Sequence, residues 1–139
     1  MILVDTSVLI DYLRGKENEF TQRFQFVLDS GIPYGINSFI YQELLQGVRT
    51  ENEFTLLKQY LDTQRFYRLR DERESFAQAA RIYFDCRRKG IVVASTIDCL
   101  IAQTAIDNDL FLLHNDSDFE RIAEVAKLKF YLGQGIASQ

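Results

Sequence analysis

Apolar and polar positions along the chain follow two rhythms. Short apolar runs without helical spacing fall at residues 2–4, 34–36, 66–69, 110–113 and 128–131, and read as strands. Between them apolar side chains recur every three or four residues, which predicts helices over 7–14, 17–30, 38–47, 51–62, 72–89, 96–108 and 119–126. Gly15 and Gly31 stand where the first two helices should stop, and Ser38 is positioned to cap the third. Parallel strands need crossover connections, so short strands alternating with amphipathic helices predict an α/β sandwich with helices on both faces of a parallel sheet. Ligands of such sheets collect beyond the carboxyl ends of the strands, where the winding order reverses.

The 139 residues contain one proline and seven glycines, with no repeat or low-complexity linker, and are expected to form a single domain over 1–139. An apolar content of 47% with eleven Phe and seven Tyr excludes intrinsic disorder. The single histidine, His114, excludes a histidine acid–base pair and a three-histidine zinc site. Two cysteines, Cys86 and Cys99, are too few for a disulfide framework and read as buried thiols of a reducing compartment. The start Met1-Ile2-Leu3-Val4-Asp5 lacks the features of a signal peptide, and no apolar run approaches the ~20 residues of a membrane span, so a cytoplasmic location without membrane association is expected.

Charge adds a second layer. The net charge is −4, yet residues 65–89 hold eight basic side chains against four acids, a local +4 within an acidic chain. Arg73 and Arg81 read as a solvated helix face with compensating acids. Arg87, Arg88 and Lys89 are adjacent and less able to pair internally, which makes them the candidate phosphate contacts.

Four carboxylates stand in positions where an acid needs a reason. Asp5 follows the first strand, where helix capping and chemistry are equally good explanations. Asp116 follows the strand at 110–113; with a helix beginning at Phe119, Asp118 is the expected cap and Asp116 the candidate for chemistry. Glu43 lies on the inward arc of its helix between Phe39 and Ile40, and Asp98 points between Ala102 and Ala105. Each has an ordinary alternative: a surface Glu whose carboxylate reaches water, or a first-turn acid behind a cap at Ser95. Together they can converge on one mouth of the sheet, where mutual repulsion requires a counter-ion. Hard oxygen donors without histidine select Mg²⁺ or Mn²⁺, and a substrate phosphate would complete so sparse a ligand set.

The segments Asp5-Thr6-Ser7-Val8-Leu9-Ile10-Asp11, Glu43, Asp98-Cys99-Leu100-Ile101-Ala102-Gln103-Thr104-Ala105 and Leu113-His114-Asn115-Asp116-Ser117-Asp118-Phe119 resemble, in order and spacing, the PIN-domain nucleases, and among them the VapC-type toxins of bacterial toxin–antitoxin pairs. The resemblance spans essentially the whole chain. It implies a three-layer α/β/α sandwich with a five-stranded parallel sheet and metal-dependent endoribonuclease activity, water activated by the metal attacking phosphorus in line. It implies Asp5, Glu43, Asp98 and Asp116 as the catalytic quartet, with Asp5, Asp98 and Asp116 as ligands of Mg²⁺ or Mn²⁺. Asp118 would be an auxiliary acid, and Thr6 or Ser7 would orient the first carboxylate or a metal-bound water. His114 stands where relatives more often carry a small hydroxyl residue; a structural role at the strand end is expected for it rather than that of a base, with titration near the site as the alternative. The resemblance further implies a homodimer and inhibition by a small antitoxin whose C-terminal segment fills the active-site groove and whose helix could lie on the stripe Phe20, Phe24, Val27, Leu28 or on Phe54, Leu57, Tyr60, Leu61, both of which also fit core packing. Transfer, ribosomal and messenger RNA all fit as substrate. Two rival readings are a catalytically inactive acid-lined interaction module and a haloacid-dehalogenase-like phosphatase; the latter needs a second acid two residues after Asp5, where Ser7 stands.

Overall fold

A computed structural model describes residues 1–93 and 95–133. In chain order the elements are β1 (Ile2–Val4), α1 (Thr6–Leu13), α2 (Glu19–Ser30), β2 (Tyr34–Gly35), α3 (Ser38–Gln46), α4 (Glu51–Leu61), α5 (Glu72–Arg88), α6 (Thr96–Asp107), β3 (Phe111–Leu113), α7 (Ser117–Ile122) and β4 (Lys129–Phe130). The strands form one parallel sheet in the order β2-β1-β3-β4. All three residues of β1 are buried. Successive strand residues point to opposite faces, so both faces of the sheet centre are covered, as an α/β/α arrangement requires.

The expected fifth strand is absent. Phe66 makes a single parallel bridge to Ile36, held by Ile36 N–H to Arg65 O (2.9 Å) and Tyr67 N–H to Ile36 O (2.8 Å). The ladder ends there because the next residue, Asn37, already caps α3 and turns the chain out of the sheet. Among the described residues the sheet therefore has four strands, with the 65–67 segment laid along its edge.

Caps decide several boundaries. Asn37, not Ser38, caps α3, its Oδ1 accepting from Ile40 N–H at 2.9 Å. The same side chain donates through Nδ2 to Thr104 Oγ1 at 3.0 Å, tying α3 to α6 through a buried bond between residues distant in sequence. Helix α2 starts later than its apolar pattern suggests because Asn18 forms a capping box with Thr21. Helices α5 and α6 run antiparallel: the start of α5 meets the end of α6 through Ser75 Oγ to Asp107 Oδ2 (2.6 Å), so the basic end of α5 lies toward the start of α6.

The sheet order creates the site. From β1 the chain goes to β2 on one side, then crosses to β3 on the other, so the winding reverses between β1 and β3 and their carboxyl ends open a crevice.

Gly35 is pinned beneath the edge segment. A Cβ there would stand 2.5 Å from Arg65 O and 2.8 Å from the Tyr67 ring. Gly35→Ala is expected to destabilise the protein by about 1–3 kcal/mol, the usual cost of overpacking, visible as a lower urea midpoint at unchanged slope.

Candidate metal centre

Four elements deliver carboxylates to this crevice. Asp5 leaves β1 and caps α1, its Oδ2 accepting from Ser7 N–H (3.0 Å) and Ser7 Oγ (2.6 Å). Capping and site membership are thus the same placement. Ser7 Oγ in turn accepts from Asn115 N–H (2.9 Å), and Asp5 N–H donates to Leu113 O (2.9 Å), which stitches the ends of β1 and β3 together. Thr6 turns elsewhere: its hydroxyl donates to Glu43 Oε1 at 2.8 Å. Glu43 on α3 is half-buried, and its orientation is therefore fixed from α1.

Asp98 lies in the first turn of α6 behind the Ser95 cap, within a run from Asp98 to Ala105 that is buried throughout. Asp116 caps α7, accepting from Asp118 N–H at 3.0 Å. This corrects the expectation that Asp118 is the cap: α7 begins two residues earlier than its first apolar residue, so Asp116 occupies the cap and Asp118 the first turn. Asp118 is buried and meets Arg121 Nη1 at 2.6 Å.

Among the described residues, Asp98, Asp116 and Asp118 each offer an oxygen within 4.8 Å of the other two. Asp5 and Glu43 stand outside that triad but within its field. Burial, and then the charges of Asp116, Asp5, Asp118 and Glu43, push the Asp98 carboxyl up to about 8. Burial, outweighing the two Ser7 hydrogen bonds, raises Asp5 to about 6, with Glu43 and Asp116 adding to it. The other four acids thus all act on Asp98, and an arginine contact is present for Asp118 alone of the five among the described residues. Clustered hard oxygens short of positive charge suit a divalent cation.

Three features were not singled out in the sequence: the Asn37–Thr104 bond that braces α3 against α6, Arg121, and the Nδ1 of His114, which accepts from Asp116 N–H at 3.1 Å. Asn37 had a visible signal as a good capping residue at a strand-to-helix junction; the other two are local contacts, Arg121 to Asp118 and His114 to Asp116, that apolar periodicity does not report. The expected basic contacts lie on the exposed end of α5. Arg87 sits over the Tyr83 ring (5.7 Å) and Arg88 over Phe84 (5.6 Å), while Arg81 pairs with Asp85 as expected. Of the two stripes, Phe24, Val27 and Leu61 are core; Val27 and Leu28 border one hollow, of about 620 Å³, and Leu57 and Tyr60 another, of about 460 Å³, between α1, α3 and α4. Both cysteines are buried free thiols.

The PIN domain family matches residues 2–125. A VapC ribonuclease of Mycobacterium bovis, Mb1587, is 32% identical over 130 residues, covering 93% of this chain and 96% of that protein. Ribonuclease VapC11 of Mycobacterium tuberculosis matches with the same identity and coverage. The fold is similar to that of VapBC2 from Rickettsia felis, solved bound to a promoter DNA fragment, with a TM-score of 0.73 at 15% identity over 94% of this chain and 98% of that one.

The raised carboxyls make stability depend on pH in a definite direction. Asp5 and Asp98 bind protons more tightly folded than unfolded, so their contribution is complete below about pH 4 and is lost as pH climbs through about 6 and about 8. His114, lowered from 6.5 chiefly by burial, acts oppositely as pH falls below 6.5, so the window to examine is pH 6.5 to 9. In EDTA the melting temperature should fall across that window. Asp98→Asn should flatten the dependence and raise Tm at pH 8.5 by about 5 °C, corresponding to 1–2 kcal/mol. A parallel decline in the variant would place the titration elsewhere.

Proposed function

The chain belongs to the PIN domain family, and from that premise we propose that it is a metal-dependent endoribonuclease acting as the toxin of a toxin–antitoxin pair. The observation that carries the reading is the convergence of Asp98, Asp116 and Asp118 within 4.8 Å, coupled to Asp5 and Glu43, at the crevice between β1 and β3. The similarity to VapC ribonucleases over nearly the whole chain supports the choice of RNA as substrate.

Asp5, Glu43, Asp98 and Asp116 form the proposed catalytic quartet, with Asp5, Asp98 and Asp116 as ligands of Mg²⁺ or Mn²⁺ and Asp118 assisting. A bound divalent ion supplies Lewis acidity toward the scissile phosphate and lowers the pKa of water near neutral pH. The residues supply the rest. Ser7 orients Asp5 through two bonds to a single oxygen, and Thr6 orients Glu43. Asp98, protonated near neutrality without a cation, gives up its proton when positive charge is bound beside it, so ion binding should release protons. Arg87, Arg88 and Lys89, which form no ion pair among the described residues, are proposed to hold flanking phosphates. Their position favours this: the α5–α6 hairpin brings the end of α5 toward the helix start that carries Asp98.

A small antitoxin fits the hollow between α1, α3 and α4. Ile10, Leu44 and Leu57 line it, and Leu13 and Leu56 remain exposed there beside Arg14, Arg49 and the acid Glu53. An apolar helix face flanked by acids would cover it. The solved VapBC complex of similar fold supports a partner of this kind.

The chain, purified free of any partner and incubated with total RNA, should cleave it with Mg²⁺ or Mn²⁺ and not in EDTA. Asp5→Asn and Asp98→Asn should each lower the rate at least 100-fold. Cleavage persisting in all three conditions would trace the activity to a contaminant and sink the assignment. Arg87→Ala with Arg88→Ala and Lys89→Ala should weaken RNA binding by about tenfold and reduce its salt dependence, while leaving Mn²⁺ affinity unchanged.

A further inference from the structure

His114 is buried in a place that a purely structural residue would not need to fill with an imidazole. It follows β3 directly, stacks at a tilt against Phe119 (4.6–5.1 Å for its two ring contacts, the other being Phe130), and is 8% exposed. An aliphatic or aromatic side chain would serve that packing equally well. The ring has a polar task in addition: Nδ1 accepts the main-chain N–H of Asp116 at 3.1 Å, two residues along. A nitrogen that accepts carries no proton, so the ring is the neutral tautomer with its proton on Nε2. Nε2 looks toward Glu120 Oε2 at 4.0 Å, beyond hydrogen-bond reach.

The bond belongs to a series. Beyond β3, Asn115 N–H goes to Ser7 Oγ, Asp116 N–H to His114 Nδ1, and Asp118 N–H to Asp116 Oδ1. Three amides of this turn are thus taken by side chains, and the Asp116 backbone is held extended at φ −145°, ψ 118°. An acceptor on residue i that takes the N–H of residue i+2 is the work of Asp, Asn, Ser or Thr in ordinary turns. Here an imidazole does it while also filling an apolar slot between two rings.

We propose that His114 is a positioning residue of the acidic centre, which through Nδ1 fixes the Asp116 main chain and so aims the Asp116 carboxylate at those of Asp98 and Asp118. The inference rests on the metal-centre reading above. It assigns His114 no proton transfer; the ring acts on the site only through Asp116.

Two substitutions separate packing from the hydrogen bond. His114→Phe keeps a ring between Phe119 and Phe130 and removes the acceptor. His114→Asn places Oδ1 near the position of Nδ1 and removes much of the ring. Calorimetric titration with Mn²⁺ should show the Phe variant weaker by about tenfold or more, the scale of lost outer-shell partners, with its melting temperature nearly retained. The Asn variant should melt lower yet bind Mn²⁺ within about threefold of the unmodified protein. Equal affinity in the Phe variant, or equal loss in both, overturns the proposal. Amide hydrogen exchange on the unmodified chain provides a check that needs no variant: Asp116 N–H should be protected, and exchange at the rate of an unstructured peptide would overturn it. Absence of Mn²⁺ binding by the unmodified chain would overturn the metal-centre reading and this one with it, whereas normal binding with an indifferent His114→Phe overturns this one alone.

Discussion

Mutual repulsion among carboxylates is the constraint around which the rest of this molecule is arranged. Asp98 is held up to about 8 and Asp5 to about 6 because burial strips them of water and their nearest charged company is acidic. At an effective dielectric of about 20, two like charges 4–5 Å apart cost roughly 3–4 kcal/mol. A chain whose total stability is on the order of 5–15 kcal/mol can hold such a cluster only if the scaffold gives it no means of spreading.

The scaffold meets that demand with short, local devices rather than with compensating charge. Asp5 and Asp116 serve as helix caps, so backbone amides hold carboxylate oxygens that repulsion would otherwise splay. Thr6 reaches across to Glu43, and Asn37 to Thr104, which fixes the two helices bearing Glu43 and Asp98 to each other. Beneath them β1 is buried on both faces, and the apolar sheet centre resists any movement of the strand ends. Arg121 touches Asp118 from a partly exposed position, where screening limits what an ion pair contributes. The acids are therefore restrained far more than they are neutralised.

Much of this was legible because the acids violate patterns that sequence displays. Glu43 and Asp98 stand on arcs otherwise given to apolar or small residues, and Asp5 and Asp116 follow apolar runs. What escaped was decided by particular hydrogen bonds, some within a single turn and some between distant segments. Ser117 and Asp118 carry no apolar signal, so periodicity begins α7 at Phe119, and only the Asp116–Asp118 hydrogen bond reveals the earlier start. Ser38 and Asn37 are both good caps; Asn37 prevails because its amide also meets Thr104. The residues at 66–69 are apolar enough for a strand, yet pairing requires a partner, and β2 has turned into α3 after one bridge. The two hydroxyls after Asp5 were interchangeable on paper, whereas the helical turn sends one to Asp5 and the other to Glu43.

Ion affinity and fold stability are two views of a single free energy in such a protein. A cation that binds the folded chain and not the unfolded one stabilises it by RT ln(1 + [L]/Kd), about 2.7 kcal/mol at a hundredfold excess over Kd. The repulsion that weakens the empty fold is the same energy that draws the cation in, so replacing an acid by its amide strengthens the scaffold and weakens the site together. The balance also explains the split in surface charge. An acidic chain repels a polyanion at long range, so an anionic substrate taken up in the proposed way would need a cation at the crevice and the arginines at the end of α5 to offset that repulsion locally.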